Sequence, residues 1–128
     1  MPFVRIDTLE ARYDATARAA MGEAVYAALR SIGVPEEDRF QVLSGKQPGE
    51  LVYSRSYLGI ERSDGFVAIQ ITLNVGRTTD QKRALYAHIA DGLAERGVRR
   101  EDVFVNLIEV AKENWSFGNG DAQYAAGG

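Results

Sequence analysis

The sequence predicts an α/β (α+β) fold, in which a tandem β-α-β repeat forms a four-stranded mixed sheet with two helices on one face, plus short hairpin or arm elements. One observation behind this prediction is a change of period: segments with every second residue apolar flank segments whose apolar residues recur every three or four positions. The other is an internal repeat, because Gly33-Val34 recurs as Gly97-Val98 and Asp38 recurs as Asp102. Two copies of so long a unit indicate two right-handed crossovers merged into one sheet rather than a solenoid. We therefore expect a single domain over 1–128, with pseudo-repeats at about 2–60 and 65–118.

The first repeat is predicted to contain a strand, a helix, a second strand, a turn and a short hairpin or irregular arm, at about 3–8, 15–31, 40–44, 46–49 and 51–60. Asp14 is a suitable N-cap for the helix, because its carboxylate can accept a hydrogen bond from the first helical turn. Gly33 is placed to end the helix, and Pro35 blocks its continuation.

The second repeat is predicted to contain a strand, a helix and a strand, at about 66–74, 80–96 and 103–110. Thr78 and Gln81 have the spacing of a capping box, and Gly97 marks the end of the helix. The apolar stripe of this helix consists of Leu85, Ile89 and Leu93. The sheet face away from both helices also carries apolar residues, namely Phe66, Ala68, Phe104 and Ile108. An apolar face of this kind implies a partner subunit.

The composition excludes several classes of protein. The net charge of −3 and a pI near 5.2 provide no basic field for nucleic acid. No apolar run is long enough to span a membrane, and no signal-peptide pattern precedes the first strand, so we expect a cytoplasmic protein. With no cysteine and one histidine, neither a disulfide framework nor a zinc site is expected. The sequence therefore predicts an enzyme or binding protein without a metal or an organic cofactor.

Pro2 is the residue with the most distinctive chemistry. If Met1 is removed, Pro2 becomes a secondary amine fixed to the first residue of a strand. An α-amino group titrates at about 7.7–8.0, which suits proton transfer near neutral pH. The alternative is that Pro2 only begins the strand, where its missing N–H costs nothing.

The chain as a whole resembles the tautomerase superfamily, and in particular the branch typified by malonate semialdehyde decarboxylase. The stretches that carry the resemblance are Pro2, Gly33-Val34-Pro35, Asp38-Arg39-Phe40-Gln41, Pro48-Gly49-Glu50, Gln81-Lys82 and Trp115-Ser116-Phe117-Gly118. The resemblance implies a homotrimer of β-α-β repeats that uses a terminal proline as catalytic acid or base.

Carried over to this sequence, the resemblance implies catalytic roles for Pro2, Asp38 and Arg77. Pro2 is the proton donor, Asp38 activates water or orients Pro2, and Arg77 binds the substrate carboxylate. From the residues alone, Asp38 lies in an acidic run typical of a solvated turn, and Arg77 could be an ordinary loop arginine. The decarboxylase has a second loop arginine where this chain has Val75, which weakens the case for a bidentate clamp on the carboxylate.

Trp115 and Phe117 resemble the aromatic wall over the substrate pocket of this family, although such residues are more often core or interface residues. The favoured prediction is an enzyme that acts on a small oxo-carboxylate, by decarboxylation of a 3-oxo acid. Keto–enol tautomerisation of a phenylpyruvate-type acid and hydration of an unsaturated acid are the alternatives, and Val75 favours tautomerisation. A second class is a non-catalytic trimeric binding protein, which retention of Met1 would indicate because Pro2 would then be an amide.

Overall fold

Residues 2–125, the part of the chain that the computed structural model describes, contain four strands and two helices longer than one turn. In chain order they are β1 (Phe3–Leu9), α1 (Ala15–Ser31), β2 (Phe40–Lys46), β3 (Val67–Asn74), α2 (Thr79–Ala94) and β4 (Val103–Val110). Met1 and residues 126–128 lie outside this part. Whether Met1 is removed therefore falls outside the described residues. No helix of residues 2–125 is long and apolar enough to cross a membrane.

The four strands form one mixed sheet, as the repeat predicts, and their order in the sheet is β2-β1-β3-β4. Within each repeat the two strands are parallel, and the repeats meet through the antiparallel pair of β1 and β3. Phe3 is paired with Phe40 on one side and with Thr72 on the other. The N-terminal ends of β1 and β2 therefore lie at the same end of the sheet as the C-terminal ends of β3 and β4.

Both helices begin at the predicted caps. The Asp14 carboxylate accepts a hydrogen bond from the Ala17 amide at 2.8 Å. At the start of α2, the Thr78 hydroxyl accepts from the Gln81 amide at 3.2 Å, and the Gln81 side chain accepts from the Thr78 amide at 2.8 Å. This capping box fixes where the loop before α2 ends.

The helix ends show the internal repeat in atomic detail. The Val34 amide donates to Leu29 O at 3.1 Å, and the Val98 amide donates to Leu93 O at 3.0 Å. Gly33 and Gly97 precede these amides with φ of +99° and +85°, a backbone conformation that favours glycine. Each helix thus turns sharply toward the strand that follows it.

The hydrophobic core lies between one sheet face and the two helices. Its largest fully buried side chains are Ile6, Met21, Leu29, Ile69, Ile71, Leu73, Leu85, Ile89 and Leu93. The predicted stripe of α2 is wholly within this set, so the period of 3.6 correctly identified its buried face. Arg18 of α1 is also buried, and its guanidinium donates to Tyr13 O at 2.7 Å.

Two expectations for the opposite sheet face need correction. Residues 51–60 form an irregular arm with a single 3₁₀ turn at Tyr57–Gly59, so the hairpin alternative is wrong. Phe66 precedes β3 and is only 4% exposed, because the ring of Tyr53 in the arm stacks on it at 4.0 Å. Phe66 is therefore covered by the chain's own arm, whereas Phe104 and Ile108 stay 49% and 39% exposed.

Candidate active site

The residues singled out in the sequence lie at one end of the sheet. Pro2 leads into β1, and Asp38 leads into β2, which runs parallel to β1. Arg77 follows the C-terminal end of β3, and the segment with Trp115 and Phe117 follows the C-terminal end of β4. The antiparallel pairing of the two repeats is what brings residues so distant in sequence to this end.

Pro2 is buried and lines a narrow crevice between the sheet and α1. Asp38 and Phe40 line the same crevice, and Tyr26 and Leu29 of α1 complete its wall. The start of β1 is therefore a packed position with little freedom, and it faces a carboxylate-bearing loop. Pro2 and Asp38 therefore lie in one packed region at the starts of two neighbouring parallel strands.

Asp38 is only 6% exposed, unlike the solvated turn residue that its acidic neighbours suggest. Its loop is held by the Tyr26 hydroxyl, which donates to Glu36 O at 2.6 Å. The Arg39 guanidinium lies 4.6 Å from the centre of the Tyr26 ring and pairs with Glu23 at 3.0 Å. These contacts hold the backbone before β2 so that the Asp38 carboxyl points inward.

Burial raises the pKa of the Asp38 carboxyl above its ordinary value, and the positive charge of Arg77 acts in the opposite direction. Asp38 and Arg77, which are 39 residues apart, thus interact electrostatically. Groups with perturbed pKa values cluster at functional sites, so the Asp38 carboxyl is a candidate for proton transfer.

Arg77 is half-buried in the loop between β3 and α2. Its guanidinium donates to Asn74 O at 3.4 Å, and Gly76 before it has a φ of +125°. Thr78, the N-cap of α2, comes directly after it, so the cap fixes the residue next to Arg77. Val75 is 60% exposed, and its amide donates to Val110 O at 3.1 Å, which continues the pairing of β3 with β4.

Trp115 and Phe117 form an aromatic cluster beside this loop. Their rings stack at 5.7 Å with an angle of 11°, and Phe117 lies 6.2 Å from Phe40. Since Phe40 lines the Pro2 crevice, the cluster is continuous with the wall around Pro2. It supplies an apolar flank to a site whose polar groups are Asp38 and Arg77.

Three residues of this region were not identified from the sequence. Asn74 accepts a hydrogen bond from the Trp115 indole at 2.7 Å and also one from Arg77 through its carbonyl, so it joins the arginine loop to the aromatic cluster. Phe40 bridges the crevice and the cluster, and Tyr124 lies edge-on to Phe117 at 5.1 Å. Phe40 lies in one of the stretches that carry the family resemblance, which could have indicated it, but nothing local marks Asn74.

Within residues 2–125 no group of three or more His, Cys, Asp or Glu residues is placed to hold a metal ion.

Comparison with known proteins agrees with this geometry. The model of a family described as "Tautomerase enzyme" matches residues 38–118. The Bacillus subtilis (strain 168) protein "Probable tautomerase YusQ" is 42% identical over 124 residues, which cover 96% of this chain and 98% of that protein.

Solved structures show the same similarity in three dimensions. FG41 malonate semialdehyde decarboxylase, inhibited by 3-bromopropiolate, is 37% identical with a TM-score of 0.88, over 95% of this chain and 93% of that chain. A second malonate semialdehyde decarboxylase, whose structures address decarboxylase and hydratase activities, is 31% identical with a TM-score of 0.87, over 95% of both chains. A symmetric trimer of wild-type fused 4-OT, 22% identical with a TM-score of 0.75 over 97% of this chain and 98% of that chain, shares the fold.

Proposed function

This chain belongs to the tautomerase family, and we propose that it is a cofactor-independent acid/base enzyme that uses an N-terminal Pro2 on a small oxo-carboxylate. The observation that carries the proposal is the burial of Pro2 and Asp38 in one crevice, at the end of the sheet where Arg77 also lies. Removal of Met1 leaves Pro2 with a secondary amine at this position.

The proposed roles follow from the chemistry of each group. Arg77 binds the substrate carboxylate, because its guanidinium forms charge-assisted hydrogen bonds with carboxylates. The protonated Pro2 amine donates to the carbonyl oxygen, where negative charge develops during the reaction. Asp38 orients the amine or polarises a water molecule. Trp115 and Phe117 flank the substrate and exclude bulk water, which strengthens these electrostatic interactions.

We favour decarboxylation of a 3-oxo acid, as in malonate semialdehyde decarboxylase. Breaking the bond to the carboxylate carbon leaves an electron pair that moves into the carbonyl, and Pro2 supplies the proton that stabilises the resulting enol. The two decarboxylases at 37% and 31% identity support this reaction. Exposed Val75, in place of a second arginine, favours instead keto–enol tautomerisation of a phenylpyruvate-type acid, with hydration as a further possibility.

Product analysis distinguishes these reactions. The protein is incubated separately with malonate semialdehyde, with the enol form of phenylpyruvate and with an unsaturated acid. Carbon dioxide release from malonate semialdehyde supports decarboxylation, and enol–keto conversion without carbon dioxide release selects tautomerisation. Formation of a hydrated acid from an unsaturated one selects hydration.

Pro2→Ala tests the catalytic role of the terminal amine. Alanine also permits removal of Met1, so the variant retains an amine but loses the rigid secondary one. We expect kcat/KM to fall by about 10²-fold or more, the usual contribution of a positioned acid or base, with an unchanged circular dichroism spectrum. Unchanged turnover would sink the role of Pro2. Mass spectrometry of the native protein that shows Met1 retained would also do so, and would leave a non-catalytic binding protein.

We further propose that the protein is a homotrimer. The sheet face opposite the helices keeps Phe104 and Ile108 largely exposed, although the arm covers Phe66. Association through this face would bury these side chains, which is favourable in proportion to the apolar area removed from water.

A further inference from the structure

The end of the sheet opposite Pro2 carries the repeat equivalents of the candidate active site. Gly65 precedes Phe66-Val67 as Pro2 precedes Phe3-Val4, and Asp102 precedes β4 as Asp38 precedes β2. Because β1 and β3 are antiparallel, equivalent positions of the two repeats lie at opposite ends of the sheet. This second end has its own cavity of about 400 Å³.

Gly65, the equivalent of Pro2, cannot supply a terminal amine at this second end. Gly65 is an internal amide whose N–H donates to Ser63 Oγ at 3.0 Å. A side chain has no room there, since an added Cβ would lie 2.9 Å from the Tyr13 hydroxyl and 3.0 Å from Asp102 Oδ2. Asp102, 1% exposed, accepts hydrogen bonds from the Ser63 amide at 2.7 Å and from its hydroxyl at 2.5 Å. The equivalent of Asp38 has therefore become a structural anchor for residues 63–65.

Two tyrosines donate hydrogen bonds to residues 63–65. The Tyr13 hydroxyl donates to Gly65 O at 2.7 Å, and the Tyr53 hydroxyl donates to Ser63 O at 2.6 Å. A guanidinium lies over each ring: Arg12 is 4.7 Å from the centre of the Tyr13 ring, and Arg55 is 5.0 Å from that of Tyr53. Both arginines are thus held by rings whose own positions are fixed.

Both guanidinium groups line the cavity. A guanidinium stacked on a ring keeps its N–H edge available for bidentate bonds to a carboxylate. Arg55 already pairs with Asp64 at 2.5 Å, whereas Arg12 forms no ion pair within residues 2–125. The remaining lining includes the apolar side chains of Leu9 and Leu51. With two cations and one carboxylate, the cavity has an excess of one positive charge.

We propose that this cavity is a second, non-catalytic binding site for a small monocarboxylate with a short apolar body. Arg12 binds the carboxylate, Arg55 adds positive charge next to it, and Leu9 and Leu51 contact the apolar body. The site lies at the end of the sheet opposite Pro2, where residues of the first repeat and Asp64 of the connecting segment line it.

The test is a titration of the intact assembly with phenylacetate, followed through assigned backbone amide signals in NMR spectra. We expect saturable shifts at Ala11 and Gly49, which line the cavity. Phenylacetamide, which has the same shape but no charge, is expected to bind at least about tenfold more weakly, since one charge-assisted interaction is lost.

Arg12→Gln and Arg55→Gln each test one cation, and each is expected to weaken phenylacetate binding by about tenfold. Arg83→Gln is the matched control, because Arg83 is an exposed arginine of α2 that pairs with Asp80. It is expected to retain full affinity. Amide spectra that change only near each substitution show that the variants remain folded.

Arg77→Gln separates this site from the one at Pro2. Any phenylacetate-induced shifts near Gly76 are expected to disappear in that variant, because Arg77 no longer binds the carboxylate there. The shifts at Gly49 are expected to persist, whether or not the protein is an enzyme. Loss of the Gly49 shifts in Arg77→Gln, a linear response without saturation, or equal binding of phenylacetamide would each overturn the proposal. Equal affinity for inorganic phosphate would overturn the assignment to carboxylates.

Discussion

Asp38 shows how a buried carboxylate at the candidate site lowers the stability of the fold. A carboxyl group that is 6% exposed has lost most of its hydration, and this loss raises its pKa. The folded protein therefore binds this proton more tightly than the unfolded chain does. The penalty of the charged carboxylate is fully present above the raised pKa, and it is relieved as pH falls through that value.

Asp38→Asn is expected to be more stable than the parent protein at neutral pH, because the amide removes a buried charge. The difference in melting temperature should close as pH falls toward the ordinary aspartate pKa of 3.8, where the parent carboxyl is also neutral. Turnover should fall in the same variant. Asp121→Asn, at an exposed position, is the control. A stability difference that is independent of pH would contradict this account.

Val75→Arg tests the departure from the decarboxylase pattern. Val75 is 60% exposed, so an arginine there requires no change in packing. We expect the ratio of decarboxylation to tautomerisation to rise roughly tenfold, because a second guanidinium binds the carboxylate bidentately with Arg77. Carbon dioxide release is compared with enol–keto conversion in both proteins. Val52→Arg in the arm, 85% exposed, should leave the ratio unchanged.

At the scale of elements, the capping box of α2 links a structural feature to the candidate site. Thr78 caps the helix and directly follows Arg77, so a frayed helix start would release the arginine loop. Thr78→Ala is expected to cost about 1 kcal/mol of stability in urea denaturation. KM for the carboxylate substrate should rise as well. Thr79→Ala, in the first helical position, keeps the cap, and an equal effect there would argue against capping as the cause.

The two β-α-β units show that equivalent elements can place the same residue type in different surroundings. Their helices end with matching hydrogen bonds at Val34 and Val98, and both carry a buried aspartate into the next strand. Asp102, however, binds the Ser63 amide and hydroxyl, whereas Asp38 shares its crevice with Pro2. The shared β-α-β unit determines that each aspartate is buried. The residues next to it, Pro2 in one repeat and Ser63 in the other, determine what the carboxylate contacts.

At the scale of the whole molecule, the exposed apolar sheet face predicts self-association. Phe104→Glu places a charge on this face and is expected to convert the proposed trimer to monomers, because a buried unpaired charge costs several kcal/mol. Sedimentation velocity measures the change. Tyr86→Glu is the matched control, since Tyr86 is 39% exposed but lies on α2. A trimer that persists in Phe104→Glu would show that another surface holds the subunits together.

Local patterns in the sequence were sufficient for the strands, both helices, their caps and the repeat, because strand alternation, helical spacing and capping depend on neighbours within a few residues. The bounds of α1 and β4 were predicted without error. For residues 51–60 the sequence left a hairpin and an irregular arm open, and the structure has the arm, because strand pairing there depends on distant contacts. The packing of Tyr53 on Phe66, which removes Phe66 from the open face, has no local signal.

The sequence by itself thus determined the elements of this protein and the chemical groups available to it: a proline behind Met1, an acidic turn, a loop arginine and two tail aromatics. Only the tertiary structure decided which of these groups lie at the same end of the sheet. Antiparallel pairing of the repeats brings Pro2, Asp38 and Arg77 to one end of the sheet and sends Gly65 and Asp102 to the other. The physical reason is that strand register, burial and Coulomb interactions act between residues that are close in space, and the distance along the chain does not reveal that proximity.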